Sequence, residues 1–427
     1  MKRKLRRVLW VGGAVVLTAL AILVFANLMP DPRRVEMRLP YAYGTSDPQF
    51  LRTLDGLFEA PIAPAHRIDT LVNGDRIFPA MLGAIAAAER TVNFETYVYW
   101  EGEIARRFAQ ALIERARAGV EVRVLVDWVG SIPMDQDLIE EMRRAGVMFV
   151  RFRKPRWYTL DRMNNRTHRK LLIVDGRIGF TGGVGIDDKW LGDARNPDEW
   201  RENHYRIEGP AVAQMQAAFV ENWIEATGEV LRGDGFFPPL PAAGEVAIQA
   251  FRSSHRTGGL DIHLMKLLAL SSAERHIRIG TPYFVPDDLS IAQMIAARAR
   301  GVEVDVIVPG PHSDYRVVQK ASRHFWGELL EAGIRIWEYQ PTMYHLKLLV
   351  VDEAFVSTGS ANYDERSFRH NDESNINVYD AAFAREQIAL FEADRAKSRP
   401  VTLEEWRNRP RGDRLREWFW SWFRVQF

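Results

Sequence analysis

The sequence contains no cysteine among its 427 residues. That excludes disulfides, thiolate metal sites and a cysteine nucleophile, and it fits either side of a bacterial-type membrane. Charge of one sign is also lacking. The formal net charge is +1, which excludes a globally basic nucleic-acid binder and leaves only local basic patches. No HExxH or Cys/His ligand spacing occurs around His66, His204, His255, His263, His276, His312, His324 or His370. The rest is ordinary for a core-forming chain, with 47% hydrophobic and 26% charged residues. The length suits two or three domains.

Long apolar runs are missing too, with one exception. Residues 8–29 are apolar apart from Thr18 and Asn27, which reads as a transmembrane helix. Lys2, Arg3, Lys4, Arg6 and Arg7 precede it, against Arg33, Arg34 and Arg38 after it. The positive-inside rule then puts the N-terminus in the cytoplasm and the body outside a bacterial cell membrane, held by a single pass. A cleaved signal peptide ending near Val24-Phe25-Ala26 is the competing reading, but the run exceeds a signal's apolar core.

Residues 30–60 read as a proline-bearing linker with short helical pieces. Beyond it the pattern is β/α. Strands are expected at 90–99, 120–126 and 147–152, with helices at 104–118 and 138–145. The same order returns as strands at 276–284, 302–308 and 334–338, with helices at 291–300 and 325–332. This predicts two duplicated α/β domains with mixed sheets, 61–232 and 248–398, joined by a Gly/Pro-rich connection at 233–247. Residues 399–427 form an amphipathic aromatic tail.

The strongest internal match is THRKLLIVDGRIGFTGG at 167–183 against YHLKLLVVDEAFVSTGS at 344–360. His168, Lys170, Asp175, Thr181 and Gly182 align with His345, Lys347, Asp352, Thr358 and Gly359 at one constant offset. A core strand explains the aliphatic residues. It does not explain why the same polar residues recur among them. If the pairs lie in strands, the period of two puts His168 beside Lys170 on one face, and likewise His345 beside Lys347. Such pairs suit phosphodiester chemistry. Lysines can carry positive charge to the non-bridging oxygens. Two imidazoles, with ordinary pKa near ~6.5, can divide the roles of nucleophile and proton donor for in-line attack.

These segments match the H-x-K-x4-D signature of the phospholipase D superfamily, in which two copies form one active site. Gly359-Ser360-Ala361-Asn362 through Arg366-Ser367 resembles that family's GSAN…RS extension. Asn371-Asp372-Glu373-Ser374-Asn375 resembles its segment carrying a glutamate that bonds a catalytic histidine. Within the superfamily the likeness is to bacterial cardiolipin synthases, through Phe94-Glu95-Thr96-Tyr97-Val98-Tyr99, Gly280-Thr281-Pro282-Tyr283-Phe284 and the run 314–337. The single anchor resembles the shorter synthase types.

The resemblance implies two phospholipase-D-like domains around one shared site, and transfer of a phosphatidyl group from one phospholipid, phosphatidylglycerol, to the glycerol headgroup of another. His168 would be the nucleophile, and His345 the acid and then the base. Lys170 and Lys347 would hold the phosphate, with Ser360 and Asn362 donating to it. Glu373 would orient a histidine, with Glu202 as its counterpart. Asp175 and Asp352 complete the catalytic signature and are expected to stabilise it rather than touch substrate. No cofactor or metal is called for, because lysines and histidines supply the positive charge. The expected partners are a phospholipid bilayer and its lipids, not nucleic acid.

One departure stands out. Gly185 occupies the place of Asn362 in the first half, so either backbone N–H groups replace that donor or the first half binds phosphate more weakly. Residues 152–166, with Trp157 and Tyr158 among five basic residues, read as a solvated loop or as a lip for anionic headgroups. Single-stranded nucleic acid would suit the same composition. At the far end Leu415, Trp418, Phe419, Trp422 and Phe423 recur at helical spacing, either as a packed core helix or as one lying in a membrane interface. The alternative activity is hydrolysis, as in a phospholipase D or a nuclease, where water replaces the alcohol.

Overall fold

Alternating strands and helices define both halves in the computed structural model, which describes residues 2–28, 35, 37–58, 60–155, 164–254 and 261–427. Trp157 and Tyr158 of the basic stretch lie outside the described residues. The first half holds β1 (Ala63–Val72), β2 (Thr91–Thr96), β3 (Glu121–Asp127), β4 (Met148–Phe152), β5 (Arg166–Thr167), β6 (Leu171–Val174), β7 (Ile178–Gly182) and β8 (Asn203–Glu208). The second holds β9 (Val246–Ser253), β10 (His276–Gly280), β11 (Phe284–Val285), β12 (Glu303–Pro309), β13 (Arg335–Tyr339), β14 (Leu348–Val351), β15 (Phe355–Gly359), β16 (Tyr363–Asp364), β17 (Asn371–Tyr379) and β18 (Ser398–Val401).

The two halves repeat one topology. The first runs β1-β8-β7-β6-β2-β3-β4 and the second β9-β17-β15-β14-β10-β12-β13, with β18 added at the outer edge. In each, three strands joined by helical crossovers are parallel and the others antiparallel. The halves were expected to carry separate sheets. Instead the equivalent strands β1 and β9 pair antiparallel, so both halves share one continuous sheet. His66 pins this junction: its Nε2 accepts from the Ala211 N–H at 2.7 Å and its Nδ1 donates to the Val246 carbonyl at 3.0 Å.

The aliphatic runs are buried on both faces, which is why they do not alternate with polar residues. In β6, Leu172 and Val174 enter the first-half core with Phe94 and Phe108, while Leu171 and Ile173 enter a core shared by both halves. In β14, Leu349 and Val351 face the second-half core and Leu348 and Val350 the shared one. Each such side chain contributes about 1.5–3 kcal/mol on burial, so register is strongly specified at these two strands.

One expectation is corrected here. The His-x-Lys residues are not in the strands: hydrogen-bonded pairing begins at Leu171 and Leu348, and 168–170 and 345–347 are extended connectors. Each connector has left its own sheet to bond the opposite half, through His168 N–H to Asp372 O at 2.8 Å and His345 N–H to Arg201 O at 2.9 Å. The membrane span expected over residues 8–29 reaches beyond the described residues. Lys2–Leu28 is one α-helix. Among the described residues no helix is long and apolar enough to cross a membrane.

Candidate active site

Each signature aspartate ties down the far end of its strand. Asp175 accepts the N–H groups of Glu89, Arg90 and Thr91 at 2.7–3.0 Å. Asp352 accepts those of Glu274, Arg275 and His276 at 2.7–3.1 Å, and the Thr45 hydroxyl at 3.0 Å. Both take left-handed backbone, φ 53° and 54°, which aspartate tolerates better than most residues. Neither lines the active-site cavity. Gly182 and Gly359, at φ 154° and 149°, are required by crowding. A Cβ at Gly359 would stand 2.4 Å from the Ser374 carbonyl oxygen.

At the near ends the two His-x-Lys connectors meet in one cavity of about 370 Å³, which is lined by His168, Lys170, His345 and Asn362. His168 Nδ1 lies 3.0 Å from both Glu373 oxygens. His345 Nδ1 lies 2.6 Å from Glu202 Oε2. Each histidine therefore takes its glutamate from the opposite half. Lys170 Nζ donates to the His168 carbonyl at 2.8 Å, and Lys347 Nζ to the His345 carbonyl at 2.7 Å.

The two pairs differ electrostatically. Burial is the largest influence on His168 and holds it at about 4, with Glu373 opposing and Lys170 adding to the shift. Burial works against the charge on Glu373 as well, but His168, Lys170 and the Ser360 hydroxyl outweigh it and keep the carboxyl below its ordinary range. We therefore read a neutral imidazole donating Nδ1–H to a carboxylate, which leaves the Nε2 lone pair unprotonated. Around His345, burial and the charge of Lys347 push the imidazole down. Burial raises Glu202 to about 7 against the pull of Lys347. The carboxyl and the imidazole are in hydrogen-bond contact at 2.6 Å, and Lys347 Nζ lies 3.0 Å from the same Nδ1. Burial also lowers Lys170 to about 7 and Lys347 to about 8.

Ser360 was expected to donate to phosphate, but it does not line the cavity. Its hydroxyl donates to Glu373 Oε2 at 2.5 Å and accepts the Ser374 N–H at 2.9 Å. Its part is to fix the glutamate. Asn362 does reach the cavity wall, and its buried amide oxygen has no partner among the described residues. Lys266 Nζ holds it from behind by its carbonyl at 2.6 Å. At Gly185 the first half has no room for such an amide. A Cβ there would stand 2.8 Å from Val98 Cβ and 3.1 Å from the Trp190 ring.

Several wall residues were not singled out from sequence. Tyr97 packs edge-on to His168 at 5.4 Å, and Trp190 and Trp200 each lie 5.3 Å from His345. Tyr283, Asp314, Tyr315, Asp364, Arg366 and Phe427 also line the wall. Tyr97, Tyr283, Asp314 and Tyr315 do fall in runs that carry the family resemblance; the tryptophans have no local signal, because only the fold brings them to the cavity. Among the described residues one trio has metal-ligand spacing, His276, Glu303 and Asp305. It lies outside this cavity, and Arg335 already binds its Asp305.

A duplicated α/β fold with one histidine-lysine pair from each half defines the phospholipase D superfamily. The family model described as "Cardiolipin synthase, PLD-like domain" matches residues 81–223 and 267–395, and the chain belongs to that family of phosphatidyltransferases. It is 34% identical over 391 residues to a cardiolipin synthase of Geobacillus kaustophilus (strain HTA426), covering 91% of this chain and 77% of that one. It is 34% identical over 372 residues to cardiolipin synthase A of Pseudomonas entomophila (strain L48), covering 86% and 76%. Among solved structures, the phosphatidylserine synthase of Haemophilus influenzae Rd KW20 superposes with a TM-score of 0.68 at 14% identity, over 89% of this chain and 100% of that one. That likeness is one of fold.

Proposed function

We propose that this chain is a cardiolipin synthase that moves a phosphatidyl group between two phosphatidylglycerol molecules through a phosphohistidine. The observation that carries this reading is the crossed pairing, in which each half's histidine, on the wall of one cavity, is bonded to the other half's glutamate. His168 Nε2 attacks phosphorus, and the bond from phosphorus to the glycerol oxygen breaks. That oxygen takes the proton held by the His345–Glu202 pair, and glycerol leaves. The glycerol hydroxyl of a second lipid then returns a proton to His345, its oxygen bonds phosphorus, and the bond to His168 breaks. Lys170, Lys347 and the Asn362 amide bind the non-bridging oxygens.

A cavity of about 370 Å³ is at the small end of ligand pockets; it suits a headgroup and leaves acyl chains outside. The molecule offers two apolar surfaces for membrane contact. Leu9, Trp10, Val15 and Leu17 of the N-terminal helix are exposed, as are Leu415, Trp418, Phe419, Trp422 and Phe423 of the tail. We assign both to the bilayer, the first as the anchor with the N-terminus cytoplasmic and the body outside, the second as an interfacial helix.

The test is the purified full chain in phosphatidylglycerol vesicles, with products followed by mass spectrometry. Cardiolipin with equimolar glycerol is expected; phosphatidic acid alone would mean a hydrolase. Activity surviving in either His168→Ala or His345→Ala would refute the shared site.

A further inference from the structure

A cavity proposed to bind a phosphodiester, with Lys170 on its wall, gains nothing electrostatically from a carboxylate there. Yet Asp314 is there beside Tyr283, whose hydroxyl donates to Asp314 Oδ2 at 2.8 Å. Asp314 sits just before the helix Arg316–His324, a place from which carboxylates commonly cap the first N–H groups. This helix has no side-chain cap at its N-terminus; the carboxylate is turned to Tyr283 instead. Its field is shared with Lys347 and with Lys189. Lys189 lies over the Trp200 ring, which packs on His345. Asp314 therefore belongs to the His345 side of the site, where alcohol leaves and enters. The surrounding wall raises its carboxyl pKa, although the side chain meets solvent at the cavity mouth.

The pair has no counterpart in the first half. Thr281 Oγ1 donates to the Tyr283 carbonyl at 3.0 Å, and the matching Thr96 Oγ1 donates to that of Val98 at 3.1 Å. Where the second half presents a phenol, the first presents an aliphatic side chain. A carboxylate with a phenol hydroxyl is a poor host for an anion and a good one for a ligand that donates and accepts through neutral hydroxyls.

We propose that Asp314 and Tyr283 form the alcohol subsite, binding the hydroxyl adjacent to the reacting one on a glyceryl headgroup, so that a vicinal diol is preferred over a simple alcohol. This rests on the transferase reading. The reacting hydroxyl gives its proton to His345 while its oxygen bonds phosphorus and the bond to His168 breaks; the neighbouring hydroxyl donates to Asp314 and sets the angle of attack.

The experiment uses the full chain in phosphatidylglycerol vesicles with isotope-labelled glycerol and 1-propanol competing at equal concentration. Labelled phosphatidylglycerol and phosphatidylpropanol are counted by mass spectrometry. The unaltered chain should favour glycerol. Asp314→Asn, Asp314→Ala and Tyr283→Phe should each lower the glycerol-to-propanol ratio, about tenfold for the aspartate variants, as expected for loss of a charged hydrogen bond. The ratio is the readout because a structural role would lower both products together. An unchanged ratio, or loss of both products in all three variants, overturns the subsite. If the unaltered chain forms only phosphatidic acid, the transferase reading falls first and takes the subsite with it.

Discussion

Between the two histidines, the partner glutamate sets the role. His168 faces a carboxylate kept charged by Lys170 and Ser360, whereas His345 faces one that burial raises to about 7. Glu373→Gln is expected to lower kcat by about a hundredfold or more, with the folded fraction, followed by thermal melting, much less affected. The pH profile follows from the same groups. His168 must be neutral, so kcat/KM should climb as pH rises through about 4. Lys170 at about 7, Lys347 at about 8 and Glu202 at about 7 must keep their protons, so it should fall as pH passes through that range. A profile still rising at pH 9 would contradict the assignment. Asp352→Ala removes the acceptor of three backbone N–H groups and should cost about 2–3 kcal/mol of stability in urea unfolding, with kcat of the folded fraction little changed.

Elements decide which residues can reach the cavity. The strands β6 and β14 are legible in the sequence because both faces are aliphatic, but the connectors before them were expected to continue those strands. They do not, because β5 pairs with β17 of the other half before β6 begins, and Tyr344 bridges Arg201 of the other half before β14 begins. Gly185 shows the same dependence on packing. The sequence left open whether a backbone donor replaces the missing amide, and the structure puts the Trp190 ring and Val98 against it. Gly185→Asn is therefore expected to destabilise the fold by about 1–3 kcal/mol through overpacking and not to raise activity; a gain in kcat/KM would count against this account.

At the scale of the whole molecule, one continuous sheet joins the halves through β1 and β9, and the cavity opens where the tail returns. Arg366 N–H donates to the Phe427 carbonyl at 2.7 Å, while Arg424 bonds Asp288 at 2.7 and 2.9 Å. The exposed aromatics of helix Arg411–Ser421 and the residues after it thus stand beside the site. Replacing Trp418, Trp422 and Phe423 together by alanine should lower kcat/KM on phosphatidylglycerol vesicles by about tenfold or more, through lost interfacial burial. On short-chain lipid dispersed below its micellar concentration the same variant should work normally. Equal loss on both substrates would place these residues in the fold rather than at the membrane.

The sequence by itself determined the duplicated α/β plan, the two polar pairs and the chemistry they suit, because periodicity and repetition are local properties of a chain. The particular pairing of His168 with Glu373 and His345 with Glu202, the retreat of Ser360 from the cavity, and the arrival of Asp314 beside Tyr283 were decided by tertiary structure. These contacts join residues far apart in the chain and across the two halves. Distance and burial, which set each group's charge and partner, are properties of the folded sheet and not of any segment read alone.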